Sequence, residues 1–337
     1  MHDRIAHLER NVPKVQPGRF RIEMTAKCRD CDPIPKCEGA GEIIERDGKR
    51  LQIMHNGLRI LADGYYGAEV TEIVSLLRGH HEPQEELAFY YLLRAIPAQA
   101  SMLELGAYWS YYTLWFKKLC PDQRRAIALE PVPEYLEMGK ENARLNQLHV
   151  EFINGLIGDV SIRAVPFNHG SQKLEVRQYT LSEIFEVMKI DHLDLLHCDA
   201  QGAELAVILS SAALFRQNRI RFGVFSTHHH NISKDPLTHQ RCLAALVELG
   251  GRIIVEHDVN ESYSGDGLIV AQFGNPDVRV EGFEISYNRY SHALFRNPLF
   301  DFEESMYPIN GLKSFLTNTF IKRLHSRVRG FMARSPM

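Results

Sequence analysis

From residue 102 onward the sequence predicts a doubly wound α/β fold, on three observations. Short apolar runs alternate with helical patterns, the runs are near-continuously apolar rather than two-faced, and polar residues collect just past their carboxyl ends. MLELG (102–106) is the first strand and SYYTLWFKKL the helix after it. RAIALEP (125–131) and PEYLEMGKENARLNQL (133–148) repeat the unit, and HVEFINGLIGD (149–159) reads as a third strand. LSEIFEVMKI (181–190) is a helix, LDLLHCDAQG (193–202) a fourth strand, AELAVILSSAALF a helix and RFGVFSTH (221–228) a fifth strand. After the helix LTHQRCLAALVELGG come RIIVEHD (252–258) and GLIVAQF (267–273), joined too briefly for a helical crossover. That connection predicts an antiparallel pair at one edge of an otherwise parallel sheet.

The chain ahead of this repeat reads as an accessory region, 1–98, before an α/β domain at 99–278 and an extension at 279–337. Residues 1 to about 40 form a polar, irregular arm holding CRDCDPIPKC. Cys28, Cys31 and Cys37 open like a zinc motif, but no second Cys-x2-Cys follows. LQIM and LRIL flank His55-Asn56-Gly57, a hairpin signal, and a helix follows from Glu69 to Leu77. HHEPQEELAFYYLLRAI (80–96) opens a helix with Pro83 and glutamates, which suits its N-terminal dipole; His80, His81, Glu82, Glu85 and Glu86 fit either a role in closing a site or a capped helix start. The stretch 312–334 has basic residues and no acids, so it reads as a basic terminal helix or a peripheral membrane contact.

Composition narrows the function classes. The 337 residues are 45% hydrophobic and 24% charged, as in ordinary globular proteins, and a net charge of −3 argues against a nucleic-acid partner. The first residues, MHDRIAHLERNVPK, lack an apolar signal segment, and no run of 18 apolar residues occurs. Six irregularly spaced cysteines suit reduced thiols, so a cytoplasmic location is expected.

In a doubly wound sheet, ligands bind at the carboxyl ends of the strands near the point where strand order reverses. The candidate residues there are Glu104 and Gly106 after strand one, and Glu130 after strand two. Asp199, Gln201 and Glu204 follow strand four, and His228 and His230 strand five; His257 and Asp266 bracket the last pair. Glu130 lies 24 residues after Gly106, the spacing at which a carboxylate holds ribose hydroxyls in Rossmann-type folds.

At this point the chain, over roughly residues 50 to 275, resembles the FkbM-type S-adenosylmethionine-dependent methyltransferases. MLELGAYWSYYTLWF with AIALEPVPEYLEMGKENARLN resembles the family's cofactor loop and ribose-binding acid, and LHCDAQGAE its later Asp…Gly-Ala-Glu segment. The resemblance implies a Rossmann-like class I methyltransferase fold with a seven-stranded sheet, S-adenosylmethionine as cofactor, and O-methylation of a sugar hydroxyl on a small-molecule or glycan acceptor. It carries over a cofactor set of Glu104, Gly106, Ala107, Tyr108, Trp109, Glu130, Asp159 and Asp199. The catalytic candidates are Asp199 and His228, with Glu204 holding a substrate or side chain in place.

Two departures stand out. Tyr108 and Ser110 replace the Asn and second Gly of the usual loop, and Gln201 replaces the usual acid between Asp199 and Gly202. The missing glycines argue against a dinucleotide pyrophosphate, which disfavours a nicotinamide-dependent oxidoreductase. They leave open a non-catalytic binding module. A divalent metal held by Asp199, His228, His230 and His257, near His239 and Asp258, is a candidate that is not favoured.

Overall fold

Ahead of the α/β repeat come helix α1 (Pro17–Thr25), which packs against the helix Ala68–Leu76, and a three-stranded antiparallel sheet of β1 (Ile43–Arg46), β2 (Lys49–Ile53) and β3 (Arg59–Leu61). This is the first unit of a computed structural model that describes residues 17–169, 171–274 and 278–288. The basic stretch 312–334 lies outside the described residues. From residue 17 on the arm is more ordered than its composition suggests, because Ile22, Met24, Cys28, Cys31 and Ile34 are buried in the core. Helices α2 (Ala68–Leu76) and α3 (Pro83–Ala95) follow. Pro83 at the start of α3 spares an N–H that would have no helical partner.

The repeat then runs β4 (Ser101–Leu105), α4 (Tyr111–Leu119), β5 (Arg125–Glu130), α5 (Pro133–Leu145) and β6 (Glu151–Asn154). Strand three is shorter than the sequence suggests. The chain leaves the sheet at Gly155, where a Cβ would lie 2.6 Å from the Tyr179 ring, so only glycine permits the crossing. It continues as β7 (Leu156–Ile157), β8 (Ile162–His169) and β9 (Gln172–Tyr179), a second small sheet that the sequence reading did not anticipate. Helix α6 (Leu181–Val187), β10 (Leu193–Cys198), α7 (Glu204–Ser210), α8 (Ala212–Arg216), β11 (Ile220–Thr227), α9 (His230–Ser233), α10 (Thr238–Glu248), β12 (Arg252–His257) and β13 (Gly267–Gln272) complete the order.

The main sheet has seven strands in the order β12-β13-β11-β10-β4-β5-β6. All neighbours from β11 to β6 are parallel, and β13 is antiparallel to both β11 and β12. Strand order reverses between β4 and β10, and Gly106 and Asp199 lie at that switch point, where doubly wound sheets bind ligands. Side chains alternate between two cores. Met102, Ala126, Ala128, Leu195, Phe222 and Val224 face the core shared with α2, α3 and α4. Leu103, Leu105, Ile127, Leu129, Leu196 and Phe225 face α6, α7, α8 and α10.

Candidate active site at the carboxyl edge of the sheet

The turn after β4 is built on Gly106. Its φ is +78°, and a Cβ there would lie 1.8 Å from the Asp199 carbonyl oxygen, so this backbone touches the end of β10. Tyr108 and Ser110 have φ of +44° and +62°. They keep the left-handed geometry of an Asn and a Gly while carrying side chains that disfavour it by about 1–2 kcal/mol each. Helix α5 reinforces the turn: Asn142 donates to the Trp109 carbonyl at 3.1 Å. Tyr108 stacks on Tyr135 at 3.7 Å, and its hydroxyl reaches the Gly64 carbonyl at 3.4 Å. Trp109 is buried and stacks on Tyr65 at 4.5 Å; Ala107, Tyr111 and Trp115 are buried too.

Glu130 ends β5 with its carboxylate turned toward this turn. One oxygen accepts from the Tyr108 amide at 2.8 Å and the other from the Val132 amide at 2.9 Å. Burial pushes its pKa up to about 7, against those two bonds. Glu104, one turn of the pleat below Gly106, accepts from the Thr113 amide at 2.9 Å and from the Thr113 hydroxyl, which ties it to the start of α4. Burial raises it to about 7 as well. Asp159 stands apart. Because the third strand ends at Asn154, Asp159 is exposed in the turn between β7 and β8 rather than at the end of a strand of the main sheet.

Over the β10–β11 edge, Asp199, Glu204 and His228 converge. His228 Nε2 lies 3.1 Å from Asp199 Oδ1 and 3.8 Å from Asp266 Oδ1, and Nδ1 lies 3.1 Å from Glu204 Oε1. Burial opposes a charge on this ring, but Asp266, Asp199 and Glu204 outweigh it and hold the imidazole protonated well above its usual range. Asp199 is buried against its charge yet kept below the usual carboxylate range by His228 and then His197. Glu204 caps its own turn by accepting from the Ala200 and Gly202 amides at 2.9 and 3.1 Å. Gln201 lies beside the pair and donates its side-chain amide to Asp199 Oδ1 at 3.3 Å. The side chains of Asp199 and Asp266 remain 24% and 30% exposed, so this cluster opens outward.

The other histidines are placed differently from the sequence reading. β11 ends at Thr227, and His229 caps the short helix that begins with His230, so strand alternation does not relate His228 to His230. His257 is buried on β12, with Nδ1 3.0 Å from the Asp258 carbonyl. Among the described residues, two groups have metal-ligand spacing: Asp199, Glu204 and His228; and His55, His80 and Glu86. Neither contains His230, His257 or a cysteine. In the first, the two nitrogens of one imidazolium each face a carboxylate, which balances the acids. In the second, the His55 and His80 rings are stacked at 4.1 Å with planes 15° apart, so their in-plane lone pairs run parallel and do not meet at one point. Cys28 and Cys37 also have separate neighbours, Ser286 Oγ at 3.6 Å and the Met54 carbonyl at 3.4 Å.

The sequence reading named Asp266 and Glu82 without these contacts, and it missed Tyr66. Asp266 arrives from the β12–β13 connection. Glu82, pushed up to about 8 by burial, binds the Tyr112 hydroxyl at 3.0 Å. Tyr66 is half-exposed, with the Arg21 guanidinium 5.4 Å above its ring. Only long-range packing brings these segments together.

Residues 96–253 match the model of the methyltransferase FkbM domain. No curated protein matches the chain. Among solved structures, the chain is similar to an O-methyltransferase from Bacillus cereus in complex with SAH, at 16% identity over 57% of this chain and 80% of that one, with a TM-score of 0.38. It is likewise similar to precorrin-6y C5,15-methyltransferase from Geobacter metallireducens, at 16% identity, 56% and 88% coverage and a TM-score of 0.36. A third is the METTL16 MTase domain, at 13% identity, 67% and 87% coverage and a TM-score of 0.42. Residues 96–253 therefore form a methyltransferase domain of the FkbM type, with S-adenosylmethionine as its cofactor.

Proposed function

We propose that the enzyme methylates a hydroxyl oxygen, that of a sugar in a glycan, a glycan precursor or a glycosylated natural product. The observation that carries this reading is the partly exposed Asp199 carboxylate, kept ionised beside a buried imidazolium at the carboxyl edge of the sheet. A sugar hydroxyl is a weak nucleophile and must lose its proton during or after attack, so a positioned base is required.

The residues fit the cofactor. Each Glu130 oxygen accepts one amide and retains capacity for a ribose hydroxyl. Gly106 brings bare backbone to the crevice, and Asp199 offers a carboxylate beside it. Glu104, Gly106, Ala107, Tyr108, Trp109, Glu130 and Asp199 form the holding set, and Asp159 is the peripheral member. S-adenosylmethionine supplies a methyl group on a sulfonium whose departure leaves a neutral thioether, so the leaving group needs no acid.

The chain's own residues then have distinct roles. Asp199 orients the acceptor hydroxyl and takes its proton as the O–CH3 bond forms. His228, already protonated, does not act as the base; it fixes Asp199 through Nε2–H. Glu204 holds the other ring nitrogen and the backbone of the 200–202 turn. Gln201, where the family has an acid, adds a neutral donor and acceptor that suit a hydroxyl-rich ligand. The test is methyl transfer to a panel of glycosides and of matched amines, followed by mass spectrometry. O-methyl glycoside that disappears with Asp199→Asn supports the reading. Methylated amine without any O-methyl product contradicts it.

A further inference from the structure

Beneath the site runs a second polar tier, in a layer where a parallel sheet is normally apolar. Glu104, His197 and Ser226 are 3%, 2% and 3% exposed and lie on one face of β4, β10 and β11. Glu104 and His197 are direct register partners, and Ser226 is two residues beyond Val224, the partner of His197 on the other side. Each tier residue lies two positions before a site residue that follows the end of its strand. Glu104 precedes Gly106 by two, His197 precedes Asp199 by two, and Ser226 precedes His228 by two.

One residue from outside the family domain joins this tier. Glu85, in the first turn of α3, sends Oε1 to His197 Nε2 at 2.7 Å and accepts from the Ser226 hydroxyl on Oε2 at 2.6 Å. Its neighbour Gln84 is equally committed. It donates to the Glu261 carbonyl and accepts from the Tyr263 amide, both in the connection that carries Asp266, and donates to the Ser286 carbonyl beyond β13. The Nδ1 of His197, buried without a hydrogen-bond partner, lies 4.0 Å from Glu104 Oε1. Tyr112 stacks on its face at 4.4 Å.

We propose that Glu85 is a positioning residue of the methyltransferase: by clamping His197 and Ser226 it fixes the tier on which Asp199 and His228 stand. The tier also carries charge. Burial opposes protonation of His197, but Glu85, Glu104 and Asp199 overcome it and raise the ring to about 9. That buried cation is in turn one of the groups holding Asp199 ionised. His228 shares Asp199 with that set but otherwise faces Asp266 and Glu204, so the two rings can be told apart. The inference rests on the reading of Asp199 as the working carboxylate, but its test needs no acceptor.

The experiment is a pH titration by NMR of ring-labelled histidine and carboxyl-labelled aspartate in the full chain, comparing wild type with Glu85→Gln. The isosteric amide keeps the reach but not the charge. His197 is expected to lose at least about tenfold in proton affinity, Asp199 to gain about threefold, and the His228 ring resonance to move although Glu85 does not touch it. Unchanged Asp199 and His228 resonances alongside a shifted His197 would overturn the positioning role, whatever the enzyme methylates. Should Glu85→Gln not fold, Ser226→Ala removes one arm of the clamp. A moved His228 resonance then supports the proposal, and an unmoved one overturns it.

Discussion

Two clusters in this molecule use the same residue types and differ in access. In the accessory region, Glu86 accepts from the His80 ring, from the Tyr111 hydroxyl at 3.0 Å and from the His81 amide at 2.7 Å, with His55 completing the group. Glu86 and His80 have no exposed side-chain surface and His55 only 3%. At the sheet edge, Asp199, Glu204, Asp266 and His228 make similar contacts, yet two of the acids remain about a quarter exposed. The lesson is that a buried acid–histidine set stabilises when it is closed and can act when one carboxylate faces outward.

Substitution should separate the two. Asp199→Asn is expected to lower methyl-transfer turnover by roughly 10²–10⁴-fold while leaving the melting temperature within a few degrees. Loss of stability without loss of turnover would reverse the assignment. Glu86→Ala should do the opposite, costing about 3–5 kcal/mol of folding stability in urea denaturation because buried polar partners lose their acceptor. The folded fraction should still bind S-adenosylhomocysteine. Burial opposes the charge on Glu86, but His80 and His81 outweigh it and hold the carboxyl well below its usual range. A depressed acid contributes stability that is present above its unfolded pKa and is lost as pH falls. The wild-type advantage over Glu86→Gln should therefore shrink on acidification below about pH 4.

Glu130, the proposed ribose-binding acid, is shifted the other way, yet its effect too is lost on acidification. Glu130 titrates near 7, and its ionised form is the better acceptor of ribose hydroxyls, so affinity for S-adenosylhomocysteine should rise from pH 6 to 8. A flat profile would mean that Glu130 does not meet the ribose. The smallest effect is expected at the loop. Ser110→Gly relieves a left-handed residue and should change stability by no more than about 1 kcal/mol, read from thermal unfolding.

Most of the α/β repeat was legible because fully buried strands leave continuous apolar runs. Gly106 and Glu130 were legible because spacing along one chain fixes a βαβ turn. The β8–β9 hairpin was not: its charged, largely exposed residues follow no apolar pattern, and the break at Gly155 depends on the Tyr179 ring. Helix α1 is nearly unpatterned in sequence and gains its order from packing. Nor could local periodicity show that Glu85 meets His197, since the two are 112 residues apart. The charge on His228 was equally hidden, because Asp266 reaches it from another loop.

The central claim is that the crevice between Gly106 and Asp199 holds S-adenosylmethionine, and calorimetric titration with S-adenosylhomocysteine tests it most directly. Saturable one-site binding to the wild type, abolished in a folded Gly106→Val variant, is the result expected from the 1.8 Å approach of a Cβ to the Asp199 carbonyl. No heat with the wild type, or undiminished binding by Gly106→Val, would contradict the account.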